Sequence, residues 1–114
     1  MTIIYKILPE TLWQDATTAG VFAGAPVDVA DGYIHFSTAT QAEETARRHF
    51  HGQSGLLLVA FDAGRLGPQL RWEPSRGGAL FPHLYAKLDP AQALWVKPLP
   101  WNGTHHLFPE GWTA

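Results

Sequence analysis

The chain contains no cysteine, little net charge and no long apolar run. Without cysteine, a disulfide framework, thiol catalysis and cysteine-ligated zinc are all excluded. A formal net charge of -2 provides no basic footprint, so we expect no strong binding to nucleic acid, although a nucleotide or a short RNA end is still a possible substrate. The longest apolar stretch, residues 56–61, is far too short to span a bilayer.

The amino terminus also lacks the charged flank and extended apolar run of a signal peptide. We therefore expect a cytosolic protein that does not associate with a membrane. The sequence does not indicate a protein partner. A length of 114 residues favours one domain with a single core, residues 1–114. Its tail, from about residue 100, is rich in Pro, Gly, Trp and His and is expected to be irregular.

Strands are predicted to outnumber helices. Apolar and β-branched runs predict strands at 3–8, 33–37, 56–61, 70–73, 80–86 and 93–99. Two helices are predicted in the first half, at 10–19 and 40–50, the second opened by a Thr38-x-x-Gln41 capping box. Residues 21–30 are interpreted as a loop, and Pro82 predicts an edge position or pairing that begins after it. The fold class is therefore α+β.

The most informative segment is Asp-Gly-Tyr-Ile-His-Phe-Ser at 31–37, which is typical of a turn followed by a short strand. Side chains alternate along a strand, so Ile34 and Phe36 would anchor it in a core. The opposite face then carries a hydroxyl, an imidazole and a second hydroxyl, from Tyr33, His35 and Ser37. Such a row suits a polar ligand, with His35 as ligand contact or acid–base group. The alternative is a half-buried histidine whose role is structural.

The segment 81–85, Phe-Pro-His-Leu-Tyr, repeats this arrangement. His83 and Tyr85 would share one face, while Leu84 points toward a core. We expect the two strands to line one cleft, in which the ring of Tyr85 can stack on a flat heterocycle. Packing of structural side chains is the competing explanation.

Glu73 and Arg76 flank a loop whose glycines predict mobility. Glu73 would serve as a base or orient a hydroxyl, and Arg76 would clamp a phosphate. A surface pair between Arg71 and Glu73, with a solvated Arg76, is the alternative.

The remaining histidines do not predict a metal site. At a helix end, His49 and His51 would point about 200° apart, and no His-Glu-x-x-His motif is present. A Gly-x-Ser-x-Gly nucleophile elbow is also missing, which argues against a serine hydrolase.

Taken together, several motifs resemble a bacterial family, the domain-of-unknown-function family nine-fifty-two, over nearly the whole chain up to residue 99. They are Tyr5-Lys6-Ile7, Trp13, the 31–37 segment, Gln41, Trp72-Glu73 and the 81–85 segment. The family has no established activity. Its fold is held to be similar to that of ADP-ribosylating enzymes. The resemblance thus implies an ADP-ribosyltransferase-like domain with a split, mainly antiparallel sheet and a cleft for NAD, the substrate.

The resemblance also implies roles for individual residues. His35-Phe36-Ser37 fits the His-x-Ser setting that binds the ribose next to nicotinamide in ADP-ribosylating enzymes, and His83 or Tyr85 would close on the nicotinamide. The expected catalytic residues are His35, His83 and Glu73. The expected ligand-binding residues are Tyr33, His35, Ser37, His83, Tyr85 and Arg76.

One departure from the transferase pattern concerns its late glutamate. The predicted last strand, 93–99, carries no acid, Glu73 comes too early in the order, and Glu110 lies in the tail. This puts ordinary protein mono-ADP-ribosylation in doubt. It leaves a reaction of the RNA 2′-phosphotransferase kind, or a nucleotide-binding or interaction module that has lost the reaction.

Overall fold

A computed structural model describes residues 1–113, except for the side chain of Arg76. The strands within this part of the chain are β1 (Ile3–Pro9), β2 (Ile34–His35), β3 (Leu56–Asp62), β4 (Leu70–Pro74), β5 (Leu80–Leu84) and β6 (Trp95–Leu99). The helices are α1 (Glu10–Ala19), α2 (Pro26–Asp31) and α3 (Ala42–His49). The predicted α+β class is confirmed, with three helices among the described residues instead of two.

The strands form two antiparallel sheets, ordered β1-β3-β6 and β2-β5-β4. Within the described part of the chain, an isolated bridge between Tyr5 and Ser37 joins them. The Tyr5 N–H donates to the Ser37 carbonyl at 2.8 Å, and the Ser37 N–H donates to the Tyr5 carbonyl at 2.9 Å. Because β1 continues to Pro9 after this bridge, its last residues border a space between the two sheets.

The apolar run at 56–61 becomes β3, the central strand of its sheet, as the sequence predicted. Alternate side chains enter two different hydrophobic clusters: Leu57, Val59 and Phe61 pack on one face, and Leu58 and Ala60 on the other. With a cluster on each face, no position of the apolar run 56–61 faces water, which explains why the run does not alternate.

Helix α1 has the predicted bounds. It follows Pro9 and ends at Gly20, whose left-handed φ of 77° lets its N–H donate to the Ala16 carbonyl at 2.8 Å. Trp13 and Ala16 are the residues it buries.

The prediction of a loop over 21–30 was wrong for its second half, because α2 begins at Pro26. Proline at the first helical position has its φ preset and lacks only an N–H that would be unpaired there. Gly32 ends the helix with φ 89°. Six residues give too few turns for apolar periodicity, and Val27 and Val29 are exposed, so the pattern offered no helical signal.

Other element boundaries also differ. Helix α3 begins at residue 42, after Gln41, whose side-chain oxygen accepts the Thr38 N–H at 3.0 Å. The expected strand at 33–37 keeps regular pairing only in β2. Strand β6 begins at residue 95, and β5 ends at residue 84.

Pro82 lies within β5, the central strand of its sheet, so the prediction of an edge position was wrong. Pairing with β4 runs through Pro82, whereas pairing with β2 begins after it, at His83. Its carbonyl accepts the Phe36 N–H at 3.0 Å. The N and C=O of one residue face the same neighbouring strand, and on that side β2 has already ended at His35. The missing N–H of proline therefore breaks no regular ladder.

No helix within residues 1–113 is both long enough and apolar enough to cross a membrane.

Candidate functional site

His35 and His83 lie directly opposite each other on the paired strands β2 and β5. Their ring centroids are 5.6 Å apart, and both side chains line one cavity of about 550 Å³. Opposite residues of an antiparallel pair share a face of the sheet, which is why the two motifs meet. The volume falls within the range of small-molecule sites in proteins.

The cavity lies where the two sheets meet. Tyr5 and Ser37, whose bridge joins the sheets, both line it, together with Ile7 from the part of β1 beyond the bridge. Leu12 from α1 and Phe50 from the end of α3 contribute apolar surface. The cavity thus combines an apolar body with a polar end that carries the two imidazoles.

Both ring nitrogens of His35 face carboxylates. Nδ1 lies 2.6 Å from Asp28 Oδ1, and Nε2 lies 3.0 Å from Asp31 Oδ2. A carboxylate oxygen only accepts, so the hydrogen bond at Nδ1 is donated by the ring to Asp28. Asp31 is nearly half exposed, whereas Asp28 is buried. Asp31 is therefore the partner that a ligand at Nε2 would displace.

Asp28 is the central acceptor of this network. Its carboxylate receives the Lys6 ammonium at 3.0 and 2.9 Å, the backbone N–H of Ala25 at 2.8 Å and that of His35 at 3.1 Å, besides the His35 ring. Burial by itself raises the pKa of Asp28. The hydrogen bond from His35 and the charge and hydrogen bond of Lys6 outweigh that effect and lower the pKa to about 2.

Lys6 is buried in β1 and lines the same cavity. Desolvation lowers its pKa, although the neighbouring Asp28 opposes that shift. Sequence reasoning missed this pair as functional residues. The available signal was Lys6 itself, the one charged residue within the apolar run of the first strand.

His83 has a carboxylate of its own. Its Nδ1 lies 2.9 Å from Glu73 Oε1, and the Tyr85 hydroxyl donates to the same oxygen at 2.7 Å. The hydrogen bond from Tyr85 has the largest effect on the pKa of Glu73, and both it and the hydrogen bond from His83 lower that pKa. The Glu73 carboxylate in turn raises the pKa of the Tyr85 hydroxyl. Arg71 lies 5.1 Å from the centroid of the Tyr85 ring. Glu73 is thus a hydrogen-bonding partner of His83.

Tyr33 joins the two histidines. Its ring stacks on His83 at 4.2 Å with an interplanar angle of 24°, and its centroid is 4.6 Å from that of His35. Burial, followed by the charges of Asp31 and Glu73, raises the pKa of its hydroxyl. A flat ligand that enters the cavity beside the two imidazoles would stack on the Tyr33 ring or displace it.

The other predicted site residues lie at different depths. Ser37 is buried and lines the cavity, with its hydroxyl 2.8 Å from Thr45 Oγ1. Neither Glu73 nor Tyr85 is among the described residues that line the cavity, and both stand behind His83 and Tyr33. The predicted phosphate contact of Arg76 depends on a side chain outside the described part of the chain.

Gly24 precedes α2 at φ 121°. A Cβ at this position would lie 2.9 Å from the Asp28 Cβ, closer than such atoms approach. Gly24→Ala should therefore destabilise the protein by more than about 1 kcal/mol, because backbone strain and a displaced Asp28 add together. Thermal unfolding measures this. Gly52→Ala is the control, since Gly52 has φ 83° but nothing within 4 Å, and an equal loss there would contradict the role of the Asp28 contact.

Within residues 1–113, no group of three His, Asp or Glu side chains is placed to hold a metal ion.

Comparison with known proteins places this fold among solved structures. A crystal structure of protein CC0527 from Caulobacter crescentus is 46% identical, covers 92% of this chain and 92% of that chain, and has a TM-score of 0.89. A solution NMR structure of CC0527, also 46% identical, covers 93% of this chain and 91% of that chain, with a TM-score of 0.82. No curated protein matches the chain. The model of the family described as "Protein of unknown function (DUF952)" matches residues 7–96, and the chain belongs to that family.

Proposed function

We propose that the cavity binds NAD or a related nucleotide as substrate, with the ribose beside His35 and His83 and the nicotinamide ring against Tyr33. The observation that carries this proposal is the pair of imidazoles facing one cavity at a centroid distance of 5.6 Å. Two imidazoles side by side on one face of the sheet can reach hydroxyls of one sugar. The aromatic face of Tyr33 suits a flat heterocycle.

The charges favour ADP-ribosyl transfer over a reaction of the 2′-phosphotransferase kind. Asp31 lines the cavity, and Asp28 and Glu73 contact the two histidines from outside its lining. Negative charge stabilises an oxocarbenium-like ribose in the transition state. Phosphoryl transfer instead needs cations on the phosphate oxygens. Among the described residues that line the cavity, Lys6 is the one with a positively charged Lys or Arg side chain. Its ammonium already pairs with Asp28.

The second candidate is a nucleotide-binding or interaction module without turnover. Strand β6, like the predicted last strand, carries no acid that corresponds to the transferase glutamate. In addition, both ring nitrogens of His35 already contact carboxylates, those of Asp28 and Asp31. A module of this kind would bind the nucleotide and release no nicotinamide.

Calorimetry with NAD and with ADP-ribose tests the binding proposal. The wild-type protein should bind both, and His35→Ala should weaken binding by about tenfold or more, since a hydrogen bond to the sugar is lost. His51→Ala is the matched control, because His51 is exposed and its ring contacts Trp101, away from the site. Absence of heat with either ligand on the wild type would refute the proposed function.

Assay of nicotinamide release from NAD then separates the two candidates. Release by the wild type supports the transferase, and binding without release supports the module.

A further inference from the structure

We infer that His83, oriented by Glu73, is the general base that activates the acceptor, and that the acceptor is a hydroxyl group of water or an alcohol. This inference rests on the proposed function. In this assignment, the His83 imidazole activates the acceptor in place of the glutamate that the transferase pattern has on its last strand.

The Glu73–His83 pair fixes which nitrogen of His83 accepts a proton. The carboxylate oxygen 2.9 Å from Nδ1 can only accept, so the neutral ring carries its hydrogen on Nδ1. The lone pair is then on Nε2. Stacking on Tyr33 and burial of the ring hold this orientation. A nitrogen base aligned by a carboxylate is a recurrent arrangement in catalysis.

The two histidines divide the work because their surroundings differ. His35 has a carboxylate at each ring nitrogen, with Asp28 2.6 Å from Nδ1 and Asp31 3.0 Å from Nε2. A ligand at Nε2 therefore exchanges with Asp31, which suits holding the ribose. Glu73 bonds His83 at Nδ1, which leaves Nε2 to act as the base.

The reaction balances without an added oxidant or reductant. The bond between ribose C1′ and the pyridinium nitrogen breaks, and its electron pair stays on that nitrogen, which gives neutral nicotinamide. The acceptor oxygen forms a bond to C1′, and its proton passes to Nε2 of His83 and then to solvent.

The nature of the base selects the acceptor. A guanidinium nitrogen has no available lone pair until it has lost a proton, and an imidazole is far too weak a base to take that proton beforehand, so an arginine acceptor does not fit. A hydroxyl group becomes acidic as its oxygen bonds to C1′, and an imidazole can take that proton. Water and simple alcohols are therefore the acceptor class.

Incubation with NAD in water containing methanol tests this assignment, with nicotinamide, ADP-ribose and methyl ADP-riboside quantified by mass spectrometry. His83→Ala should slow nicotinamide release by about a hundredfold or more. Added imidazole should restore part of the rate in this variant and should leave the wild type unchanged. His83→Gln, which keeps most of the volume, should be equally slow. Glu73→Gln should lose less, and His51→Ala should match the wild type.

Calorimetry with ADP-ribose on the same proteins separates the possible failures. Failure of the wild type to bind would overturn both this assignment and the proposed function. Binding without nicotinamide release by the wild type would overturn the assignment alone. Undiminished release by both His83 variants, or no rescue by imidazole, would also overturn the assignment while the binding site stands.

Discussion

Asp28→Asn is expected to lower the free energy of unfolding by about 3–5 kcal/mol. The substitution leaves the Lys6 ammonium buried without its counter-charge, and it replaces one of the two oxygens that accept from His35 and Ala25 with an NH2 group that can only donate. Breaking one partner of a buried pair costs more than a typical surface change because the remaining charge stays desolvated. Denaturation by urea measures the loss directly.

Two further proteins separate the buried charge from a general effect. In a Lys6→Met background, Asp28→Asn should cost clearly less, because no ammonium is stranded, and the difference is the coupling energy of the pair. Asp15→Asn, on the exposed face of α1, should leave stability nearly unchanged. Equal losses from Asp28→Asn with and without Lys6 would show that the ion pair does not carry the effect.

Much of the fold follows from local patterns. The bounds of α1 follow from Pro9 and Gly20, and the central position of β3 follows from an apolar run that does not alternate. Helix α2 could not be predicted in this way. Its start depends on Ala25 donating to the Asp28 carboxylate, and that carboxylate is held by Lys6, which is 22 residues away. Pro26 and Gly32 are local signals for the two ends of α2, but the pattern contains no trace of the Lys6 contact.

The candidate site was likewise predictable from the sequence only in part. Strand alternation predicted that Tyr33, His35 and Ser37 would face one way, and all three line the cavity together with His83. The carboxylate partners were not predictable, because each depends on tertiary placement. Asp31 is only four residues from His35, but it reaches the ring because the chain turns at Gly32, between α2 and β2.

The role of Glu73 depends on the register of its sheet. Its sequence neighbours favoured a pair with Arg71 as strongly as a role in the site. The antiparallel register of β4 and β5 places the Glu73 side chain within reach of His83, ten residues further along the chain. Register is set by side-chain burial over the whole sheet, so no single motif reveals it.

Acid should destabilise the protein through Asp28 in a defined range of pH. Its pKa is lowered from 3.8 to about 2 in the folded protein, so the folded state holds the carboxylate more strongly ionised than the unfolded chain does. The resulting stabilisation is fully present above the unfolded value and is lost as pH falls through the folded value. A shift of this size corresponds to about 2 kcal/mol.

Urea unfolding at about pH 5 and about pH 2 isolates this contribution when the wild type is compared with Asp28→Asn. Other carboxylates, including Glu73 with its lowered pKa, titrate in both proteins and cancel in the difference. The wild type should therefore lose about 2 kcal/mol more than the variant on acidification. Parallel losses would mean that the hydrogen bonds from His35 and Lys6 do not hold this carboxylate ionised. Because the same carboxylate orients His35, NAD binding should weaken over the same range of pH in which this stability is lost.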